Sequence, residues 1–449
     1  DLDTVINDSA VSGGTSLVKS DAGTLIITKD QTYKGATTIK GGTLQLGDGG
    51  TEGQIANTAA LHNQGVLSVN RSDTIKLDQQ IDGSGSLTQQ GQGTTVLGGL
   101  NSYAGGTTIT AGTLQGSTSS FGTGAIQNDA ALVLDQKTDG ILENTLSGKG
   151  SLTKISSATV SLNQDNSQFY GATTVSEGTL SVNGSLENSA TSVADGATLS
   201  GLGMVGATQV AQGATLAPGN AQGSGVLSVK GDLDMQAGSV LSSIGTGTLT
   251  GENLTAHGAS YALLLGDLVK VSGMASIDGA NVSFNVADGS VLKANQAYTL
   301  LTAAGGVRGQ YADLITNITK NYLFLTPTLF YTADDVDLLL INNGLNIVEL
   351  GGSGNQRQTE HGLSGMSVEN PIIKAISQLN HQDGLNAVNT LSGEIHASLS
   401  TALTEDAYFT REAALERLDT AECDGGYTKG TLRTASLHNK NFQQDGKCY

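Results

Sequence analysis

The chain has 449 residues, with 62 glycines, 3 prolines, no tryptophan and only 4% aromatic residues. Abundant glycine without proline excludes a collagen-like chain or a proline-rich linker. Its 22 basic residues against 41 acidic ones give a net charge of −19, which argues against nucleic acid or anionic lipid as a partner, because both demand a basic face.

In chain order, Asp1-Leu-Asp-Thr4 reads as a trimmed start from which a signal peptide has been removed. No long apolar run follows, so no transmembrane helix is expected. The phrase Tyr33-Lys-Gly-Ala-Thr-Thr-Ile-Lys-Gly-Gly-Thr-Leu44 then returns as Tyr103-Ala-Gly-Gly-Thr-Thr-Ile-Thr-Ala-Gly-Thr-Leu114. It returns again as Tyr170-Gly-Ala-Thr-Thr-Val-Ser-Glu-Gly-Thr-Leu180. The glycines before each Thr-Thr pair, Gly35, Gly105 and Gly171, set a repeat of 70 and 66 residues. Leu17, Leu87 and Leu152 close a shorter phrase that leads each copy.

Each copy holds short β-branched runs fenced by glycine, asparagine and aspartate, the pattern of strands joined by tight turns. Strands this short cannot bury an apolar face alone, but stacked coil on coil they build one continuous core. With about 20 to 25 residues per coil, one repeat makes roughly three coils. Residues 1–235 would then form a rod on the order of 50 Å long. The expectation is an all-β parallel β-helix, with a β-sandwich or propeller as the competitor.

From residue 236 to 350 the strands become longer and more apolar, as in Tyr298-Thr-Leu-Leu301 and Tyr322-Leu-Phe-Leu-Thr-Pro-Thr-Leu-Phe-Tyr331. A solenoid end exposes strand edges and core, and this segment is the expected cap. Residues 351–383 read as a polar linker in which Asn370-Pro371 starts a short helix. A longer helical pattern runs from Leu385 to Leu418, with apolar residues three and four apart. At about 1.5 Å per residue it would cross a bilayer core of ~30 Å. Glu394, His396, Glu405 and Asp406 forbid lipid contact and suit a water-filled channel.

The order of these parts resembles the passenger of a type V secretion autotransporter of the AIDA-type adhesin family, in the style of antigen 43. The Tyr-x-Gly-x-Thr-Thr-Ile-x-x-Gly-Thr-Leu phrase resembles the passenger-associated transport repeat. Residues 298–340 are similar to the family's autochaperone region, and Leu391-Ser-Gly-Glu-Ile-His-Ala-Ser398 resembles its barrel linker helix. The resemblance implies a right-handed single-stranded parallel β-helix, displayed on or released from a Gram-negative cell surface. It also implies an autochaperone core of Tyr298, Tyr311, Phe324, Leu325, Phe330, Tyr331 and Val336. Its pore helix would be residues 384–418, with Leu391, Ser392, Gly393, Ile395, Ala397 and Leu399. Residues 419–449 would begin a translocator barrel whose remainder is missing, and that barrel would be the chain's own partner. Cys423 and Cys448 are expected to pair, as two cysteines of an exported chain usually do.

The search for chemistry yields little. No protease or metalloprotease motif appears. Gly201-x-Gly-x-x-Gly206 matches a dinucleotide fingerprint in letters only, without a strand-to-helix context. Six histidines (His62, His257, His361, His381, His396 and His438) are scattered along the chain. No catalytic residue, cofactor or metal site is expected. Tyr33, Tyr103 and Tyr170 share a repeat position, which favours stacking between coils over a sugar-binding groove. Two function classes follow. The first is an adhesin or self-associating rod acting by multivalent contacts with itself or a host surface. The second is a scaffold or effector whose catalytic domain lies upstream.

Overall fold

The computed structural model describes residues 2–7, 14–220, 225–242, 248–264, 267–286, 292–344, 347–350, 352–367, 370–392 and 394–423. The chain forms two units, Asp1–Gly344 and Leu345–Tyr449.

In the first unit the β-branched runs become short strands such as Thr37–Ile39, Thr43–Leu46 and Thr94–Leu97, alternating buried and half-buried side chains. Such a strand hides one row of side chains, and only the returning chain can cover it. The return takes from 17 residues (Thr191 to Thr208) to 25 (Thr208 to Leu233) along most of the shaft and 32 at its last turn (Ala275 to Val307), always parallel. The chain is therefore a parallel β-solenoid, as expected.

Its strands lie on three faces. Face I begins with Leu17–Lys19, Thr37–Ile39, Leu61–Asn63 and Ile81–Asp82, and resumes as a nine-stranded sheet from Gly140–Leu142 to Asp313–Thr316. Face II is a seven-stranded sheet spanning Thr24–Ile27 to Leu146–Ser147, and resumes at Ser185–Leu186. Face III is one twelve-stranded sheet from Thr74–Leu77 to Val307–Arg308. Where a face lapses, an asparagine carries the ladder across. On face I the Ile81 N–H donates to Asn101 Oδ1 (2.8 Å), and Asn101 Nδ2 donates to the Ser120 carbonyl (2.7 Å). On face II, Leu146 N–H donates to Asn166 Oδ1 (2.8 Å) and Asn166 N–H to the Ser185 carbonyl (2.9 Å). Without these side chains, buried backbone groups would go unpaired, at about 1–3 kcal/mol each.

The core is a set of leucine columns. Leu44, Leu67 and Leu87 stack in register on face II, Leu114, Leu132 and Leu152 on face III, and Leu180, Leu199, Leu216 and Leu241 on face I. All are fully buried, each worth about 1.5–3 kcal/mol relative to exposure.

The shift to apolar composition near residue 236 does not interrupt the stacking, and parallel rungs continue to Asp313–Thr316. The ladder then changes sense. A short helix, α1 (Ile318–Asn321), leads into an antiparallel pair of Leu325–Tyr331 and Asp335–Asn342. The second of these also pairs antiparallel with Ala297–Ala303. Val336, Leu338 and Leu340 point inward with no exposed surface, and the added strands occupy the edge that face II would otherwise present.

The second unit is helical among its described residues. Helix α2 (Gly354–Ser364) opens with a reciprocal Ser353–Gln356 capping box. Helix α3 (Pro371–Ile376) is capped by Asn370, whose Oδ1 accepts from the Ile372 N–H at 2.9 Å, as the Asn-Pro pair predicts. Helices α4 (His381–Ser392) and α5 (Glu394–Cys423) cover the long helical pattern. Among the described residues no helix is long and apolar enough to cross a membrane.

Candidate functional site

The repeat is best understood at the corner between two faces. Gly35, Gly105 and Gly171 each lie on the coil before them. A Cβ there would come within 2.4 Å of Ser16, 2.7 Å of Gly85 or 1.6 Å of Gly150, so no larger residue fits. Gly42, Gly112 and Gly178, of the Gly-Thr-Leu phrase, have φ near +60° (63°, 61° and 62°), which glycine adopts at no steric cost. Between these two glycines the Thr-Thr-Ile or Thr-Thr-Val run forms the strand.

Tyr33 and Tyr103 fill the corner before that strand. Both are buried, and their hydroxyls bond Thr37 Oγ1 at 2.6 Å and Thr107 Oγ1 at 2.7 Å, four residues on. Burial pushes both phenols above their ordinary range, partly offset by the threonine bonds. The third copy differs from the expectation. Phe169, four residues before Thr173, occupies the corner fully buried, while Tyr170 is 53% exposed. Thr173 bonds Ser189 instead, at 2.7 Å. The spacing of four to the first threonine marks the equivalent position, and the aromatic letter alone misplaces it.

A second device was not anticipated. The residue two beyond Leu17, Leu87 and Leu152 is Lys19, Gln89 or Lys154, buried in all three copies. Its head group closes the following turn. Lys19 Nζ donates to the carbonyls of Ser20, Asp21 and Gly41, Gln89 Nε2 to Gly91 and Gly93, and Lys154 Nζ to Ser156 and Glu177. Burial pulls the Lys154 ammonium below its ordinary range, against the opposing pull of Glu177, Asp139 and Asp135. Arg71, 3% exposed, plays a related part, holding Asp73 through Nε (2.9 Å) and Nη2 (2.8 Å) and donating to the Thr51 carbonyl.

The three copies do not share a side of the solenoid. In the first, Thr37–Ile39 lies on face I and Thr43–Leu46 on face II. In the second, Thr107–Ile109 lies on face II and Thr113–Gly116 on face III, and in the third, Thr173–Val175 lies on face III and Thr179–Val182 on face I. Each repeat thus advances by one face, and equivalent residues trace a spiral around the coil. A surface that is continuous along the axis is built from registered strands, not from matching repeat positions.

Face III offers the longest such surface. Its central outward column runs Lys76, Val96, Gln115, Val133, Thr153, Thr174, Ser192, Gln209, Asp234, Thr255, Ser276 and Arg308, one residue per rung. Seven consecutive rungs, Val96 to Gln209, are uncharged. At about 4.8 Å per rung the uncharged stretch is roughly 30 Å long and the whole twelve-stranded face roughly 50 Å. On face I, His62 Nδ1 meets Asp82 Oδ1 at 2.8 Å on the adjacent rung, an exposed polar pair.

The residues expected to form an autochaperone core are divided by the structure. Tyr311, Phe324, Leu325 and Val336 are buried, and Tyr298 and Tyr331 are partly buried. Tyr331 packs on Tyr311, its hydroxyl accepting the Tyr311 N–H at 3.1 Å; burial raises both phenols. Phe330 is not in a core. It alternates outward between Leu329 and Tyr331 and is 57% exposed. Of the pore-helix residues, Leu391 and Ser392 end α4, with Leu391 46% exposed, and Ile395, Ala397 and Leu399 stand in the first turns of α5. Gly393 lies outside the described residues. Cys423 is the last residue of α5, and Cys448 lies outside the described residues, as does most of 419–449.

The passenger-associated-transport-repeat family matches residues 17–46, 87–115 and 152–182, the three segments that build these corners. An extracellular serine protease of Serratia marcescens is 27% identical over 321 residues, 62% of this chain and 29% of that protein. The adhesin BmaC autotransporter of Brucella suis is 34% identical over 169 residues, 33% of this chain and 5% of the adhesin. The uncharacterized lipoprotein YdeK of Escherichia coli is 36% identical over 135 residues, 29% of this chain and 10% of that protein. The chain thus spans less than a third of each of these relatives.

Proposed function

We propose that the chain is an autotransporter passenger, as its repeats and relatives support, and an adhesive one, acting through many weak contacts along its β-helix. The observation that carries this reading is face III, twelve registered strands with an uncharged centre on a molecule of net charge −19. Like-charged molecules repel wherever acidic groups face each other. A long neutral ladder is where a neighbouring rod or a surface polymer approaches at least cost, and affinity then grows with the number of engaged rungs. The Brucella adhesin supports the same direction. The passenger acts without catalysis, displayed at the surface of a Gram-negative cell by a barrel in its own precursor, with α5 threading that barrel.

The test is display of the whole precursor on a non-adherent strain, scored for cell aggregation, biofilm and binding to host matrix. Adhesion in at least one assay, reduced when Thr153, Thr174 and Ser192 are replaced by glutamate, is the expected result. Display without adhesion in any assay contradicts it. The Serratia protease favours a second reading, a solenoid carrying a catalytic domain elsewhere in the precursor. Proteolysis by the displayed precursor, abolished by substitution of a serine outside this chain, would establish that one instead.

A further inference from the structure

Hydroxyls buried in the coil corners are used internally: Thr37 bonds Tyr33 and Thr58, Thr107 bonds Tyr103, and Thr173 bonds Ser189. Six hydroxyls on face I are not. Thr159, Thr179 and Thr198 stand in register on successive rungs, with Ser161, Ser181 and Ser200 beside them two residues on. Among the described residues none of these six hydroxyls has a hydrogen-bond partner, although Ser181 and Ser200 are only 4% and 2% exposed. With no partner in the protein, the small exposed part of Ser181 and Ser200 includes the hydroxyl oxygen, which is open to a ligand as to water.

All six line one groove of about 490 Å³, shared with Ile141, Asn220 and, on its first rung, Asp139, whose Oδ1 accepts the Thr159 N–H at 2.8 Å. An amide ladder runs beside them, Asn220 Nδ2 donating to Asn183 Oδ1 and Asn183 Nδ2 to Asn163 Oδ1, both at 2.9 Å. The nine strands of this sheet contain a single charged residue, Asp313, in the last strand.

These features define the occupant. A ligand bearing carboxylate or phosphate groups would leave its charge unpaired here and meet Asp139 besides, at high desolvation cost, and a row of ammonium groups would find one carboxylate, on the first rung only. The strands' backbone groups are committed to the parallel ladder, so a peptide cannot add by strand pairing. A peptide lying along the axis would also repeat its side chains on one side every ~6.6 Å, out of step with rungs ~4.8 Å apart. Hydroxyls both donate and accept, and they match a ligand that does the same at each rung. We infer that this groove binds a neutral, linear glycan, one sugar unit per rung. The site is separate from the face III surface, and cell adhesion through that face is not required for it.

The full chain is titrated with malto-, cello-, laminari- and manno-oligosaccharides by saturation-transfer NMR and calorimetry, with oligogalacturonate as the charged comparator. The expected result is saturable binding of at least one neutral oligosaccharide, strengthening with length to about the number of rungs in the groove. A variant with Thr179→Val, Thr198→Val, Ser181→Ala and Ser200→Ala should bind about tenfold or more weakly, the loss of one or two net hydrogen bonds, with unchanged thermal unfolding. Ser161→Leu, which fills the groove with one side chain, should weaken binding as well, whereas Thr108→Val on face II should not. Absence of saturable binding across the neutral panel, equal binding by the charged oligomer, or full binding by both groove variants overturns the inference.

Discussion

At the scale of residues, the repeat is a set of corner fittings. Glycines whose Cβ would strike the previous coil, an aromatic plug and a lysine or glutamine head that closes a turn recur because the corner recurs. The plug yields a paired prediction. Tyr103→Phe removes one buried hydroxyl bond and should cost about 1 kcal/mol, a modest loss, because Thr107 also reaches the Phe121 carbonyl at 3.3 Å and because Phe169 already fills the third corner. Tyr170→Ala, at an exposed position, should leave stability within about 0.5 kcal/mol. Chemical denaturation of the two variants checks both values. A large loss for Tyr170→Ala would restore that residue to the core.

The glycines, the β-branched runs and the repeat itself were legible in the sequence because they follow from backbone sterics and local periodicity. The exchange of Phe169 for Tyr170 was not, since a one-residue slip changes which side chain turns inward, and only the neighbouring coil fixes it. Nor were Asn101 and Asn166 as ladder bridges, or Lys154 as a buried turn cap. Their roles depend on backbone groups about twenty residues away in sequence.

At the scale of elements, the end of the solenoid differs from its shaft. Parallel rungs form only after a long loop has closed, so they are slow to nucleate, whereas the hairpin of Leu325–Tyr331 and Asp335–Asn342 closes locally. We propose that it forms early and templates the coils stacked on it. The sequence located this segment by its apolar texture but misjudged Phe330, because alternation on an antiparallel strand turns every second residue outward. Phe324→Asp, placing a charge at a position 5% exposed, should prevent recovery of the protease-resistant shaft on dilution from denaturant, while Phe330→Asp should permit it. Normal refolding of the Phe324 variant would contradict the templating role. The pairing of Cys423 with Cys448 and the threading of α5 stay proposals of the same kind, resting on the family resemblance rather than on contacts.

At the scale of the whole molecule, the repeat and the coil have different lengths, and their mismatch distributes the copies over three faces. One consequence is functional: the repeats build the column, and what it binds is set by registered residues between and beyond them, as on face III and in the groove of face I. The most direct test is cysteine cross-linking in a background with Cys423→Ser and Cys448→Ser. Rung neighbours on different faces, Thr38→Cys with His62→Cys, Thr108→Cys with Gln127→Cys, and Thr174→Cys with Ser192→Cys, are Cα partners in adjacent strands, close enough at about 4.8 Å for a disulfide. All three pairs should cross-link under mild oxidation, and Thr38→Cys with Thr108→Cys, or Thr108→Cys with Thr174→Cys, should not. Failure of the rung pairs, or cross-linking between repeat-equivalent positions, would contradict the stepped solenoid.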